Sequence, residues 1–216
     1  MIKKYFKEEL TKAVRIFWKK DLSPGQDSGD VSLKDFETNY IYICPRPNKN
    51  LEIPNWGVIE EKDIVVIDMD GNVIGNSENL PTVEAPMHIK IYKARPEIGA
   101  IIHSHATWSS AFAITGKNIP LVLAEQSLFL GGEVICAEYG KVGSKELAHN
   151  IVIALGRKKM AALLRNHGAV CIGRNLEEAF IVSDFLEKGA QKTVLGTILG
   201  DLIIKSSDEI LDESLL

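Results

Sequence analysis

Three of the five histidines in this sequence stand where their side chains could converge: His103 and His105, two residues apart, and His167 far downstream. The first two lie in Ala100-Ile-Ile-His-Ser-His105, which reads as a buried strand. Residues i and i+2 of a strand share a face, with backbones about 6–7 Å apart, so both rings can reach one ion. Imidazole suits zinc and other late first-row divalent ions. The H-x-H spacing by itself fits two polar residues at a strand end equally well. His167 follows the apolar run Met160-Ala-Ala-Leu-Leu164 and precedes Gly168, which puts it at a strand end where the backbone turns. A third imidazole would leave a fourth position for a reactant, the pattern of a catalytic ion rather than a structural one.

A carboxylate completes the candidate set. Glu84 falls in the first turn of a helix that the sequence predicts to open at Leu80-Pro-Thr82, with Thr82 as its cap. There it either complements the helix dipole at the surface or serves the site. His88, four residues on along the same helical face, reads as a structural hydrogen-bonding group, and His149, in a surface helix, as a bystander.

The elements that must carry these residues follow from periodicity and turn signals. An amphipathic helix is predicted over 2–20, with Tyr5, Leu10, Val14, Phe17 and Trp18 among charges. Residues 22–30 read as a loop, 39–44 as a short strand, and the proline-punctuated 45–54 as another loop. A strand over 63–69 meets the turn signal Asp70-Gly71 and returns through Asn72-Val-Ile74. The helix carrying Glu84 must end before Arg95-Pro96, because the residue before proline avoids the α region. Beyond the histidine strand come a helix to about 114, a short element within 119–134 and a helix over 143–155 capped by Ser144. Strands at 160–164 and 169–172 and a long helix over 176–200 complete the chain, ahead of an acidic tail at 208–216. Helices layered on a mixed or antiparallel sheet, an α/β architecture, satisfy this order.

Composition sets the outer bounds. At about 150 residues per domain, 216 residues make one domain. With 45% hydrophobic and 25% charged residues, the chain has the apolar supply of a globular protein. A net charge of -4 argues against nucleic acid as the main partner. The three cysteines have no CxxC spacing and read as buried thiols of a reducing compartment. No apolar run reaches the ~18–20 residues of a membrane span. Residues 1–20 lack the apolar centre of a signal peptide, so the cytoplasm is the expected address.

Taken in order, these residues resemble the class II aldolase/adducin family, most closely its L-fuculose-phosphate aldolase branch. The markers are Gly29-Asp-Val-Ser32, Leu80-Pro-Thr-Val-Glu84 with His88 and Tyr92, and Arg95-Pro96. Ala100-Ile-Ile-His-Ser-His105, Gly116-Lys-Asn-Ile-Pro120 and Asn166-His-Gly168 follow, so the resemblance spans about 22–200. It implies a three-layer αβα domain over 1–216 with a central, mostly antiparallel sheet, the 2–20 helix and the acidic tail being peripheral. It also implies a homotetramer with the site near a subunit boundary. His103, His105 and His167 are then zinc ligands (or ligands of another divalent transition metal), and Glu84 is the catalytic acid/base. The activity implied is cleavage of a carbon–carbon bond in a ketose phosphate or related hydroxy-carbonyl compound. Ribulose-phosphate 4-epimerase, decarboxylase or dehydratase chemistry and a non-catalytic adducin-like module are the alternatives. The epimerases usually carry aspartate at the positions of Glu84 and Ser127, and adducin-type domains lack the metal histidines, so each departs from this chain.

The substrate region, matched to Gly29, Asp30, Thr82 and Glu125, differs from the family pattern. Asp30 replaces an asparagine of the phosphate loop, Arg46-Pro47 replaces Thr-Gly, Thr82-Val83 replaces Ser-Ser, and Glu125 replaces a frequent tyrosine. An ionised aspartate only accepts hydrogen bonds and repels a phosphate, leaving Arg46 as a replacement cation. An unphosphorylated substrate is the expectation these changes raise.

Overall fold

The computed structural model describes residues 1–25, 28–46 and 56–205, so most of the 45–54 loop and the whole acidic tail at 208–216 lie outside the described residues. Five helices and seven strands follow in chain order. They are α1 (Lys4–Lys19), β1 (Asp30–Lys34), β2 (Ile41–Ile43), β3 (Val65–Ile67), α2 (Ala85–Ala94) and β4 (Ala100–Ser104). Then come α3 (Thr107–Thr115), β5 (Ile135–Ala137), α4 (Lys145–Leu155), β6 (Ala161–Leu164), β7 (Gly168–Gly173) and α5 (Leu176–Leu199). The strands form one sheet in the order β3-β2-β1-β4-β7-β6-β5. Every neighbouring pair is antiparallel except β5–β6. The mostly antiparallel αβα architecture expected from the sequence is the one present.

Side-chain alternation along the strands divides the core into two layers. Ala100 and Ile102 of β4, with Ala169 and Cys171 of β7, face α1, α3 and α5. Ile101 of β4 and Val170 and Ile172 of β7 face α2 and α4. The helix α1, expected to be peripheral, instead places Leu10, Ala13, Val14 and Phe17 in the first of these layers. Helix ends follow local chemistry. Ser144 accepts a hydrogen bond from the Leu147 amide at the start of α4, and Asn175 accepts one from Glu178 at the start of α5. No helix among the described residues is long and apolar enough to cross a membrane.

Three local expectations change. The helix expected to open at 80–82 begins at Ala85, because tertiary pairing claims those residues first. Thr82 donates its amide to Cys44 and Arg46 donates its own to Leu80, extending the end of β2 by an antiparallel bridge between Pro45 and Pro81. The second arm of the 63–74 hairpin is reduced to the Ile67–Val73 bridge. Strands β1 and β5 carry no signal read from the sequence. In β1 every residue is buried, including Asp30, Ser32 and Lys34, a pattern that propensity does not associate with a central strand. Polar partners compensate, as where Lys34 Nζ donates to the Pro96 carbonyl at 2.6 Å.

Gly29 joins α1 to this sheet. Its φ is +72°, and a Cβ there would collide with the His103 carbonyl oxygen and stand 3.1 Å from Phe17 Cζ. At Gly25, with φ +97°, nothing lies within 4 Å. Gly29→Ala should therefore destabilise the protein by more than about 1 kcal/mol, lowering Tm by roughly 2–4 °C or more. Gly25→Ala, which suffers only the backbone strain, should lose less. Equal losses in thermal unfolding would show that close approach is not what selects glycine at position 29.

Candidate metal centre

The second core layer ends in a polar cluster at the C-terminal end of β4. His103 continues the parity of Ile101, so its ring points toward the α2 side, and His105 follows on the same face just past the strand. Their Nε2 atoms are 3.1 Å apart. His167 arrives from the turn between β6 and β7. Asn166 adopts a left-handed φ of +57°, the His167 amide bonds to the Leu164 carbonyl, and β7 then starts at Gly168. Register does the rest. Ser104 pairs with Ala169 and His103 with Val170, so the turn preceding β7 must lie beside His105. Gly168 permits the approach: a Cβ there would strike the Ser104 carbonyl oxygen and lie 3.1 Å from His105 Cδ2. The three rings meet edge to face, with centroids 4.8, 4.8 and 4.9 Å apart.

Glu84 enters from the N-terminus of α2. Its Oε2 lies 2.6 Å from His103 Nε2 and 3.6 Å from His167 Nε2. The ligand atoms offered by Glu84, His103, His105 and His167 all lie within 4.8 Å of one another. For a tetrahedral ion with bonds of about 2.0–2.1 Å, ligand atoms would be about 3.4 Å apart, so this spread fits one small divalent cation. The donor set fits as well. His103 Nδ1 is 3.0 Å from the Ala169 carbonyl, which fixes the ring and leaves Nε2 facing the cluster.

Electrostatics divide the four groups. Burial disfavours charge on His103, but the Glu84 carboxylate outweighs it and the imidazole is pushed up to about 9. Burial likewise opposes ionisation of Glu84, yet His103 holds its carboxyl below the usual range. His105 is pushed down to about 3, by burial first and then by His103 and His167, and His167 is lowered for the same reasons. Among the described residues, Glu84 Oε1 is buried without a hydrogen-bond partner, as is His167 Nδ1.

Of the remaining residues singled out by sequence, Gly29 packs against the His103 backbone. Thr82 and Asp30 are bonded to each other at 2.6 Å, deep beside the cluster. Asp30 is 3% exposed, with its second oxygen 2.7 Å from His88 Nε2. Glu125 is half-buried just before a π-helical turn (Gln126–Leu130) and is not one of the four clustered residues. His88 is fully buried, consistent with a hydrogen-bonding role, and His149 is exposed on α4. Sequence reasoning did not find the links from His88 through Ser32 to Tyr92, at 2.7 and 2.8 Å. The signal was present as two periodicities: Asp30 and Ser32 share a strand face, and His88 and Tyr92 are one helical turn apart.

The family model described as "Class II Aldolase and Adducin N-terminal domain" matches residues 8–194. The chain belongs to the class II aldolase and adducin family. Among family members, it is 33% identical over 173 residues to an L-fuculose phosphate aldolase of Methanococcus maripaludis, covering 80% of this chain and 87% of the relative. It is 29% identical over 197 residues to a 5-deoxy-D-ribulose 1-phosphate aldolase of Bacillus thuringiensis, covering 90% and 88%. A solved L-fuculose 1-phosphate aldolase superposes with a TM-score of 0.88 at 32% identity, covering 97% of this chain and 94% of that one.

If the four side chains hold one ion, elemental analysis of protein purified with a divalent metal should give about one equivalent per chain. His103→Ala and His167→Ala should each lose it, while His149→Ala should keep it in full.

Proposed function

We propose that this protein is a metal-dependent carbon–carbon lyase that cleaves a ketose phosphate or related hydroxy-carbonyl compound, in the manner of the L-fuculose-phosphate aldolases. The observation that carries the reading is a buried carboxylate, with one oxygen free of partners, set against three convergent imidazoles. His103, His105 and His167 would hold the ion, zinc or another late first-row divalent metal. When bound, it supplies Lewis-acid neutralisation of the negative charge left as a bond beside a carbonyl breaks.

The chain's own residues account for the rest of the chemistry. Cleavage removes the proton from the hydroxyl on the carbon being released as aldehyde, breaks the adjacent carbon–carbon bond, and returns a proton to the remaining enediolate. Glu84 would move that proton: among the described residues its Oε1 has no competing hydrogen-bond partner, and its Oε2 lies against His103. Burial of Glu84 and His103 keeps bulk water from competing for the site. The same reading carries the homotetramer implied by the family and the cytoplasmic setting favoured by the sequence.

For the substrate's distal group, Asp30 matters less than sequence suggests. Its carboxylate is turned onto Thr82 and His88, whereas Arg46 lines a cavity of about 780 Å³ with Leu80, Thr82, Val83 and Lys90. Four cations in this lining, Arg46, Lys90, Lys93 and Lys145, against one carboxylate, Asp70, support an anionic substrate with Arg46 as counter-ion. Glu125 has no contact that supports a role in this reading.

Metal-loaded protein should release an aldehyde from a ketose phosphate. Epimer interconversion or carbon dioxide release without aldehyde would replace the lyase reading. Glu84→Gln should retain the metal yet lose roughly 10²-fold or more in kcat; normal turnover would remove Glu84 from the proton-transfer role. Arg46→Gln should raise KM for the phosphorylated substrate but not for its unphosphorylated counterpart, and equal effects on both would discard the counter-ion assignment.

A further inference from the structure

A buried line of polar side chains runs from the middle of the sheet to the backbone of Glu84. Tyr92 Oη lies 2.8 Å from Ser32 Oγ, which lies 2.7 Å from His88 Nδ1. His88 Nε2 is 2.7 Å from Asp30 Oδ1, and Thr82 Oγ1 is 2.6 Å from Asp30 Oδ2. Thr82 Oγ1 finally accepts the Glu84 amide at 3.2 Å. All six residues are buried, with Ser32 and His88 fully so.

The direction of this line follows from donor and acceptor counting. An ionised carboxylate only accepts, so Thr82 O–H donates to Asp30 and turns a lone pair toward the Glu84 amide. His88 Nε2 faces the other Asp30 oxygen across an ion-pair distance, and its Nδ1 meets the Ser32 hydroxyl. Ser32 Oγ also meets the Tyr92 hydroxyl. Asp30 is the carboxylate on which both arms close, one through a hydrogen bond from Thr82 and the other through the His88 ion pair. Burial raises the Tyr92 hydroxyl above its usual range, which keeps it a donor. Burial opposes charge on Asp30 too, but His88, then His103 and Thr82, hold its carboxyl down at about 2.

We infer that Asp30, His88 and Thr82 are positioning residues for Glu84, acting through the hydrogen bond that fixes its backbone amide, and that Asp30 itself does not touch substrate. The geometry gives the reason. Glu84 sits just before α2 with no side-chain cap, at φ −93° and ψ 4°, so its own conformation does little to aim its carboxylate. The Thr82 hydroxyl is the side-chain group that holds this residue's backbone amide, and its bond to Asp30, which His88 flanks, sets which way that hydroxyl points. A carboxylate displaced by even a fraction of an ångström from a reacting proton loses much of its effect. In its catalytic consequence this inference rests on the lyase reading. In its structural consequence it does not.

The test uses full-length, metal-loaded protein with Thr82→Val, which removes the hydroxyl at nearly constant volume, and Thr82→Ser, which keeps it. Two experiments are run: hydrogen exchange of the Glu84 amide by NMR, and steady-state kinetics giving kcat and KM on a ketose phosphate. Thr82→Val should leave metal content unchanged, accelerate Glu84 amide exchange roughly tenfold and lower kcat with little change in KM, and Thr82→Ser should restore both. His88→Gln, which disturbs the line one residue further back, should raise Glu84 exchange in the same direction. Unchanged Glu84 exchange in Thr82→Val would overturn the inference, as would a raised KM at constant kcat, which marks Thr82 as a substrate contact. If the parent protein shows no lyase turnover, the exchange measurement still decides the positioning role, so failure of the two readings can be told apart.

Discussion

The antiparallel pairing of β4 with β7 is the constraint on which the candidate centre depends. His103 and His105 belong to one strand and its extension, and His167 to the turn that feeds the other. Only the register that sets Ser104 opposite Ala169 brings that turn beside His105. A slip of one residue would reverse the faces and send His167 away from the other rings. Gly168 enforces the register sterically, because any side chain there would collide with the Ser104 carbonyl. Three imidazoles from distant parts of the chain are thus held by backbone hydrogen bonds and close packing. No flexible loop is asked to bring them together.

Glu84 is held by a different means. It lies at the start of a helix instead of on the sheet, and its segment is tied to the end of β2 by the Thr82 and Arg46 amides. Its side chain meets His103 while its backbone meets Thr82, so two independent contacts define one residue. Burying Asp30, His88, Ser32, Thr82 and Tyr92 is costly unless their polar atoms are compensated, and the short contacts that link them make this segment stiff. Stiffness is what Glu84 would need in the proposed acid/base role, where its target must be approached within hydrogen-bond reach.

Much of the architecture was legible in the sequence. The helices α1, α4 and α5 announce themselves through amphipathic spacing and caps, and β4 and β6 through short apolar runs. Two strands were not legible. Asp30-Val-Ser-Leu-Lys34 carries polar side chains that read as solvent-facing, yet it is a central, fully buried strand whose polar groups are satisfied by residues from other elements. Ile135–Ala137 is three residues long and takes its strand character from pairing with β6. The start of α2 was placed too early for a related reason: the 80–82 segment meets the local rules for opening a helix, but its amides and carbonyls are claimed by residues 44–46.

The sequence by itself determined the chemical inventory: an H-x-H pair, a third histidine at a strand end, a glutamate at a helix start, and the order of motifs that marks the family. Those depend on residue type and short-range spacing, which a linear string records in full. Only the tertiary structure decided that the three imidazoles and the carboxylate share one small volume, and that Asp30 faces His88 and Thr82 rather than an open pocket. Both facts are set by which strands become neighbours and in what register. That choice is made by burial and close packing summed over the whole sheet, and local sequence carries no record of it.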